Sequence, residues 1–392
     1  HKGLLNRNIE LKDKRIVITG DLSQGPEATI IDAESKGRHF TITATDYNND
    51  IVDTTMVIQN ITLKNGKTIA NGNQWDEGGG SIRVFNGTRP KLFNIIFDSN
   101  IDENSDTEDY YTRWMAGAVL VTNGGKGYIV SCQFINNKSI ANSSTAGAGA
   151  VFFSDAHDSD NHIINRSIFH GNESIGEKGA WGAAFETKGR VDVTNSVFYN
   201  NTATALESGL AQVIRYSDLY VSGESPKLYS IFANNTVANN TANSSDNNYR
   251  THGLFYYAWV DPNYASHSLY IFNNIFYGKN SSYENTPLVL ADFGNVYLDH
   301  NIIQDKDQVE LSRDDWTFDN SYDFDPMFKD TTNGDYSLSD QSLALGKGVS
   351  LWEINNLKFY APTKDARGGK RPTPSGTNPD LGAYENSLSE SP

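Results

Sequence analysis

The chain has 392 residues, a formal net charge of −16 and one cysteine. The length admits two domains, the acidity without a basic stripe excludes nucleic acid as a partner, and a single cysteine excludes a disulfide within the chain. No apolar run approaches the ~20 residues that span a bilayer as a helix; the opening His1-Lys2-Gly3 reads as a trimmed start from which an export signal has been removed.

Residues 1–56 read as an N-terminal cap and first coil, with early strands from Arg15 to Gly20 and from Ala28 to Asp32. A motif then recurs: a short apolar strand ending in a hydrophobe, followed by one or two Asn. Its hydrophobes at 63, 97, 134, 169, 198, 237 and 276 stand 34, 37, 35, 29, 39 and 39 residues apart. A second element keeps phase with the first, a small residue followed by an apolar strand, as at Gly80, Gly117, Gly149, Gly182 and Gly253. Some units add a third strand, from Gly127 to Val130 and from Arg190 to Val193. The strands are rich in Val, Ile, Phe and Tyr and bounded by Gly and Asn.

An imperfect period of this size, without helix-patterned segments, indicates an all-β fold: one right-handed parallel β-helix of roughly eight to ten coils. A β-sandwich with coincidental spacing is the alternative. Asn suits tight bends because it tolerates the left-handed region, and stacked Asn side chains are placed to hydrogen-bond from coil to coil. Residues 57–303 form the repeat body. Its polar insertions at 101–116, 138–148, 172–181, 201–209, 241–252 and 278–287 share one phase and gather on one side. Cys132 stands where other coils have Ser or Asn and reads as a small buried hydrophobe. Sequons such as Asn86, Asn137, Asn165 and Asn280 are expected by chance in so Asn-rich a chain. Residues 304–392 change rhythm and are placed to cover the solenoid's open end.

That last segment carries Asp325-Pro326-Met327-Phe328, Asp365 to Pro372 and Asp380-Leu381-Gly382-Ala383-Tyr384-Glu385. These motifs resemble the closing segment of bacterial secreted right-handed β-helix proteins, including the choice-of-anchor group. The paired Gly-strand and Phe-x-x-Asn elements resemble the repeats of polymorphic outer-membrane adhesins. The resemblance implies the fold and a secreted or cell-surface bacterial setting, and leaves lyases, hydrolases, esterases and adhesins open.

Among enzyme signatures, the only adjacent Asp pair, Asp314-Asp315, lies outside the repeats and disfavours a polygalacturonase-like site. Val296 to Asn301 is similar to the Val-Trp-Ile-Asp-His run of pectate lyases, but that family's Arg-x-Pro-x-x-Arg segment is missing, and Asp299 and His300 read as caps of a turn. Asp155 to Asn161 lacks a calcium-loop spacing and reads as a solvated loop.

Counting back four residues from each Gly strand gives a column containing Trp114, Gly179, Glu207, Arg250 and Glu284; five back gives Arg113 and Lys178, and two back gives Trp181 and His252. Polar residues interrupt the strands at Arg83, Glu186, Gln212 and Arg215, with Lys188 just beyond. Coils about 4.8 Å apart would bring such columns within side-chain reach. The mixture suits β-elimination on a uronic-acid polysaccharide, which needs the carboxylate neutralised and a base near the C5 proton. Lys178, Arg215, Arg250, His252 and Tyr257 are the catalytic candidates; Arg113, Trp114, Trp181, Lys188, Gln212 and Tyr256 the substrate-binding ones. Glu186 and Glu207 are candidate Ca²⁺ ligands. The chain is expected to act as a monomer on a polysaccharide. A non-catalytic adhesin or glycan-binding solenoid is the alternative, and a glycoside hydrolase using Glu186 or Glu207 a third reading. A solvated surface pair of Glu207 and Arg250 is the bland one.

Overall fold

The computed structural model describes residues 8–45, 53, 55–70, 78–104, 114–154, 161–207, 209–216, 229–244, 253–257, 268–278, 288–290, 295–308 and 320–388, with the backbone alone at 69–70, 253–257, 288–290 and 295. The chain winds as a parallel β-helix with three faces. A representative turn places Ile82–Val84 on the first face, Lys91–Asp98 on the second and Ile101–Asn104 on the third, then returns to the first at Val119–Val121. Among the described residues nine strands stack on the first face, sixteen on the second and six on the third. All three faces are therefore complete in six consecutive turns. Pairing between turns is parallel, as in Ile82, Val119, Val151, Phe185 and Ile214 down the first face.

The second face is crossed in two segments because each turn bends on it. At that bend Asn60, Asn94, Asn195, Asn234 and Asn273 hold φ values of 55°, 51°, 53°, 53° and 57°. Asn adopts this left-handed conformation more readily than other non-glycine residues. The next bend, into the third face, repeats the device at Asn65, Asn136, Asn200 and Asn239.

The Asn that follows this second bend points inward and links the turns. The Asn100 amide donates to Asn137 Oδ1 at 2.9 Å, Asn137 to Asn172 at 2.9 Å, Asn172 to Asn201 at 2.8 Å and Asn201 to Asn240 at 2.9 Å. Each Nδ2 also donates to the carbonyl of a column hydrophobe one turn back, Asn172 to Phe134 O for example; the Oδ1 of Asn137, Asn172, Asn201 and Asn240 also accepts the backbone N–H of the preceding Asn, and that of Asn100 the N–H of Gly66. All five amides are fully buried. A parallel column runs from Cys132 through Ser167, Ser196, Asn235 and Asn274 to Asn301. Cys132 is thus a buried member of a polar column, and burial pushes its thiol up to about 12. Asn137, one of the sequon residues, is consumed by the ladder.

Beside the ladder Leu63, Phe97, Phe134, Phe169, Phe198, Val237 and Phe276 occupy one register column, as their spacing predicts. The rings of Phe97, Phe134, Phe169 and Phe198 stack at centroid separations of 4.7, 4.6 and 4.7 Å. At the far end His300 takes the bend conformation with φ 48°, and its Nδ1 lies 2.8 Å from Asp299 Oδ2. The Asp-His pair of the pectate-lyase-like run therefore shapes a turn.

Residues 8–45 already supply two paired strands of the first face, Ile9–Lys12 and Phe40–Thr43. At the other end Tyr322 bridges to Ile302, extending the last turn, but most of the C-terminal segment folds back along the second face. Leu338, Leu345 and Leu381 pack on Ile275, Tyr336, Ala383 and Tyr384 on Val197 and Ala238, and the hairpin Leu351–Ile354 and Leu357–Tyr360 on Ala233, Tyr270 and Phe272. The outward aromatic residues of the last turns explain why this strap lies on the flank. Arg371, with its side chain wholly buried, anchors it at 3.2 Å from Glu385.

The ladder and the anchor each make a prediction. Asn172→Ala orphans buried groups above and below it and should cost on the order of 1–3 kcal/mol for each group left unpaired, measured as a fall in urea midpoint at unchanged m. In the anchor, burial raises Glu385 to about 7 and Asp380 to about 6. A raised carboxyl keeps its proton in the fold after the unfolded chain has lost it, so this contribution to stability falls as pH rises from about 4.5 to about 7. His39 and His162, held neutral by burial, act oppositely. The comparison that isolates the anchor is the wild type minus Glu385→Gln: their difference in melting temperature should shift against the wild type across that window and level off above it.

Candidate functional site

The first face has an outward column as well as an inward one. Ile82, Val119, Val151 and Phe185 point into the main core, so Arg83, Leu120, Phe152, Glu186 and Arg215, one position along, point away from it. Described parts of two insertions between the third and first faces fold over this column. Trp114 stacks on Phe152 at 5.9 Å and, with Ala116, Leu120 and Ala148, forms a separate apolar cluster. Asp102, fully buried on the third face, fixes that insertion: its Oδ2 accepts the Ala116 N–H at 2.9 Å and the Gly79 N–H at 3.3 Å. Nothing in the local sequence marks Asp102; its role appears only once its strand is seen beside the inserted chain.

Two turns further on, Trp181 folds over the same face. Gly182 makes this possible, with φ 68° and no room for a side chain: a Cβ there would lie 2.5 Å from Phe185 O. The Arg215 guanidinium sits 3.8 Å over the Trp181 ring and donates through Nη1 to Glu186 Oε1 at 2.9 Å. The two charged side chains are only 7 % and 1 % exposed. Trp114, Phe152, Trp181, Glu186 and Lys188 line one shallow cleft, floored by Met115, Thr145 and Gly147. It holds about 30 Å³ of water-sized space, room for about two waters.

Of the candidates from sequence, the structure thus brings together Trp114, Trp181, Glu186, Lys188 and Arg215. Gln212 is fully buried at the start of its strand, paired with Gly253. The backbone of Tyr256 pairs with Arg215 and that of Tyr257 with Tyr216; their side chains, and all of Arg113, Arg250, His252 and Glu284, lie outside the described residues. The counted-back column needs correction at Glu207. Ala205 pairs with Gly176, and the Glu207 N–H donates to Glu177 O at 2.8 Å, so Glu207 neighbours Glu177 and Lys178, while Gly179 lies against Thr145 and Ala180 against Ala211. Insertions of unequal length slip the count by one or two residues.

The two candidate Ca²⁺ ligands, Glu186 and Glu207, stand in different parts of the turn. Glu186 belongs to the first face and is engaged by Arg215, whereas Glu207 follows the last strand residue of the third. Among the described residues no three His, Cys, Asp or Glu side chains cluster as metal ligands. What the cleft offers instead is an apolar aromatic shelf, one cation locked in an ion pair and a second, Lys188, at the wall. No family model matches this chain, and no curated protein matches its sequence.

Removing one member of the pair strands the other. Glu186→Ala should destabilise by about 3–5 kcal/mol by leaving a buried guanidinium uncompensated, and Glu186→Ala with Arg215→Met should recover most of that loss in chemical denaturation.

Proposed function

We propose that this β-helix recognises and cleaves an acidic polysaccharide outside a bacterial cell, with the cleft between Trp114 and Trp181 as its site. The observation that carries this reading is Arg215. Its Nη1 is taken by Glu186, while its buried Nε–H has no acceptor among the described residues. A buried, unsatisfied donor on a charged group is costly, and a uronate carboxylate supplies the oxygen it lacks in the charge-assisted geometry arginine favours. Drawing that carboxylate onto the guanidinium would acidify the neighbouring C5 proton, and Lys188, lining the same cleft, takes the place of the base. The Trp114, Phe152 and Trp181 rings give the apolar sugar faces a surface to stack on.

The Arg215–Glu186 pair also supports a second reading, a solenoid that binds acidic glycan without cutting it, because a cation already paired neutralises a substrate carboxylate less fully. The test is a panel of uronic-acid polysaccharides, followed by the ultraviolet absorbance of the unsaturated product, by reducing ends and by calorimetric binding. Elimination on one polymer, falling about 100-fold in kcat for Arg215→Lys with KM raised by Trp114→Ala, is the expected result. Binding that Trp181→Ala abolishes, without any product, establishes the second reading. Neither binding nor product removes both.

A further inference from the structure

The Trp181 indole brings a second unused donor to the cleft. One face of its ring is taken, because the Arg215 guanidinium lies 3.8 Å over it. Its Nε1–H is buried and has no acceptor among the described residues. The stacked pair therefore holds two unpaired donors, the Arg215 Nε–H and the Trp181 Nε1–H, within the width of one sugar ring. They differ in kind. The guanidinium donor is charged and favours a carboxylate, whereas the indole carries no charge and only donates. A cation over the ring also draws π density toward itself, which leaves the N–H a stronger donor.

The chain around this N–H fixes what can reach it. Gly179 stands two residues before Trp181 and pairs with Thr145 of the neighbouring turn, and Thr145 and Trp181 both line the cleft. A Cβ on Gly179 would lie 3.2 Å from Trp181 Nε1, 3.2 Å from Thr145 Cγ2 and 3.3 Å from Thr145 Oγ1. Glycine thus keeps a space open between indole and threonine, and a single methyl group is enough to fill it. A sugar hydroxyl suits that space, since it accepts from Nε1–H and donates to Thr145 Oγ1, an atom with acceptor capacity. An acetyl ester on the same oxygen removes the donor and adds a group larger than the space admits.

Resting on the acidic-polysaccharide reading above, we propose that Trp181 determines specificity: its Nε1–H takes a free sugar hydroxyl beside the carboxylate held by Arg215, and Gly179 and Thr145 exclude the O-acetylated form. The half-buried Thr145 side chain turns between staggered rotamers to admit the hydroxyl. The substrate class is accordingly a uronic-acid polymer left unesterified at that position.

Calorimetry on the whole chain with polygalacturonate, alginate and polyglucuronate, each plain and chemically O-acetylated, tests it. Trp181→Phe keeps a ring under Arg215 and removes the N–H. The wild type should bind one plain polymer about tenfold more tightly than its acetylated form, and Trp181→Phe should weaken binding of the plain form about tenfold while leaving the acetylated form unchanged. In isotope-labelled wild type, the indole N–H resonance that disappears in Trp181→Phe should move downfield on saturation with plain oligomer. Equal affinity of Trp181→Phe and wild type for the plain form, an equal loss on both forms, or an indole resonance unmoved at saturation overturns this inference and leaves the acidic-polysaccharide reading standing. Binding of no polymer in either form removes that reading, and this inference with it.

Discussion

The solenoid depends on one side chain doing two jobs at neighbouring positions. Asn in the left-handed region lets the chain bend without glycine, and the inward Asn that follows satisfies the backbone the bend leaves unpaired. A tight turn buried inside a stack otherwise strands its N–H and C=O groups. Because each amide reaches both the neighbouring Asn and a main-chain carbonyl, the turns lock in register even though the chain between them runs from 29 to 39 residues. The stacked Phe column adds apolar area to a register the amides have already chosen.

That locked frame explains the position of the candidate site. Connections of unequal length join the third face to the first, and the described residues Trp114 and Trp181 in two of them lie over the outward side of the first face. Trp114 and Trp181 come from different insertions yet reach one cleft because Phe152 and Glu186 sit in consecutive strands beneath them. The buried Glu186–Arg215 pair follows the apolar Leu120 and Phe152 in the outward column. A hydrophobic pair of similar volume there would stabilise the fold as well or better, which makes the retained charges a natural place to seek function.

How much of this was legible in sequence follows from which contacts repeat. The hydrophobe column was readable residue by residue, since each member is followed by the same Asn bend. The strand interruptions Glu186 and Arg215 were legible too, because a charge in a short apolar strand stands out. The loop register was not: from Gly179 to Glu207 the count crosses a bend at Gly182 and connections of unequal length, and Glu207 moves to another neighbour. Asp102 was hidden because its partners are main-chain amides of distant insertions. The course of the strap was not legible because its hairpin repeats nothing; its place is written in the outward aromatics Tyr270 and Phe272, which read like any other strand residues until the face they occupy is known.

The amide column has a direction. Each Nδ2 donates toward the following turn and each Oδ1 accepts from the preceding one, in the Asn100 column and again from Asn235 through Asn274 to Asn301. The side-chain dipoles therefore align head to tail along the axis, as peptide dipoles do in an α-helix, with the carbonyl ends facing the start of the chain. A fold whose strands contribute little net dipole thereby acquires an electrical polarity from its side chains, and its two ends are unlike in field as well as in shape.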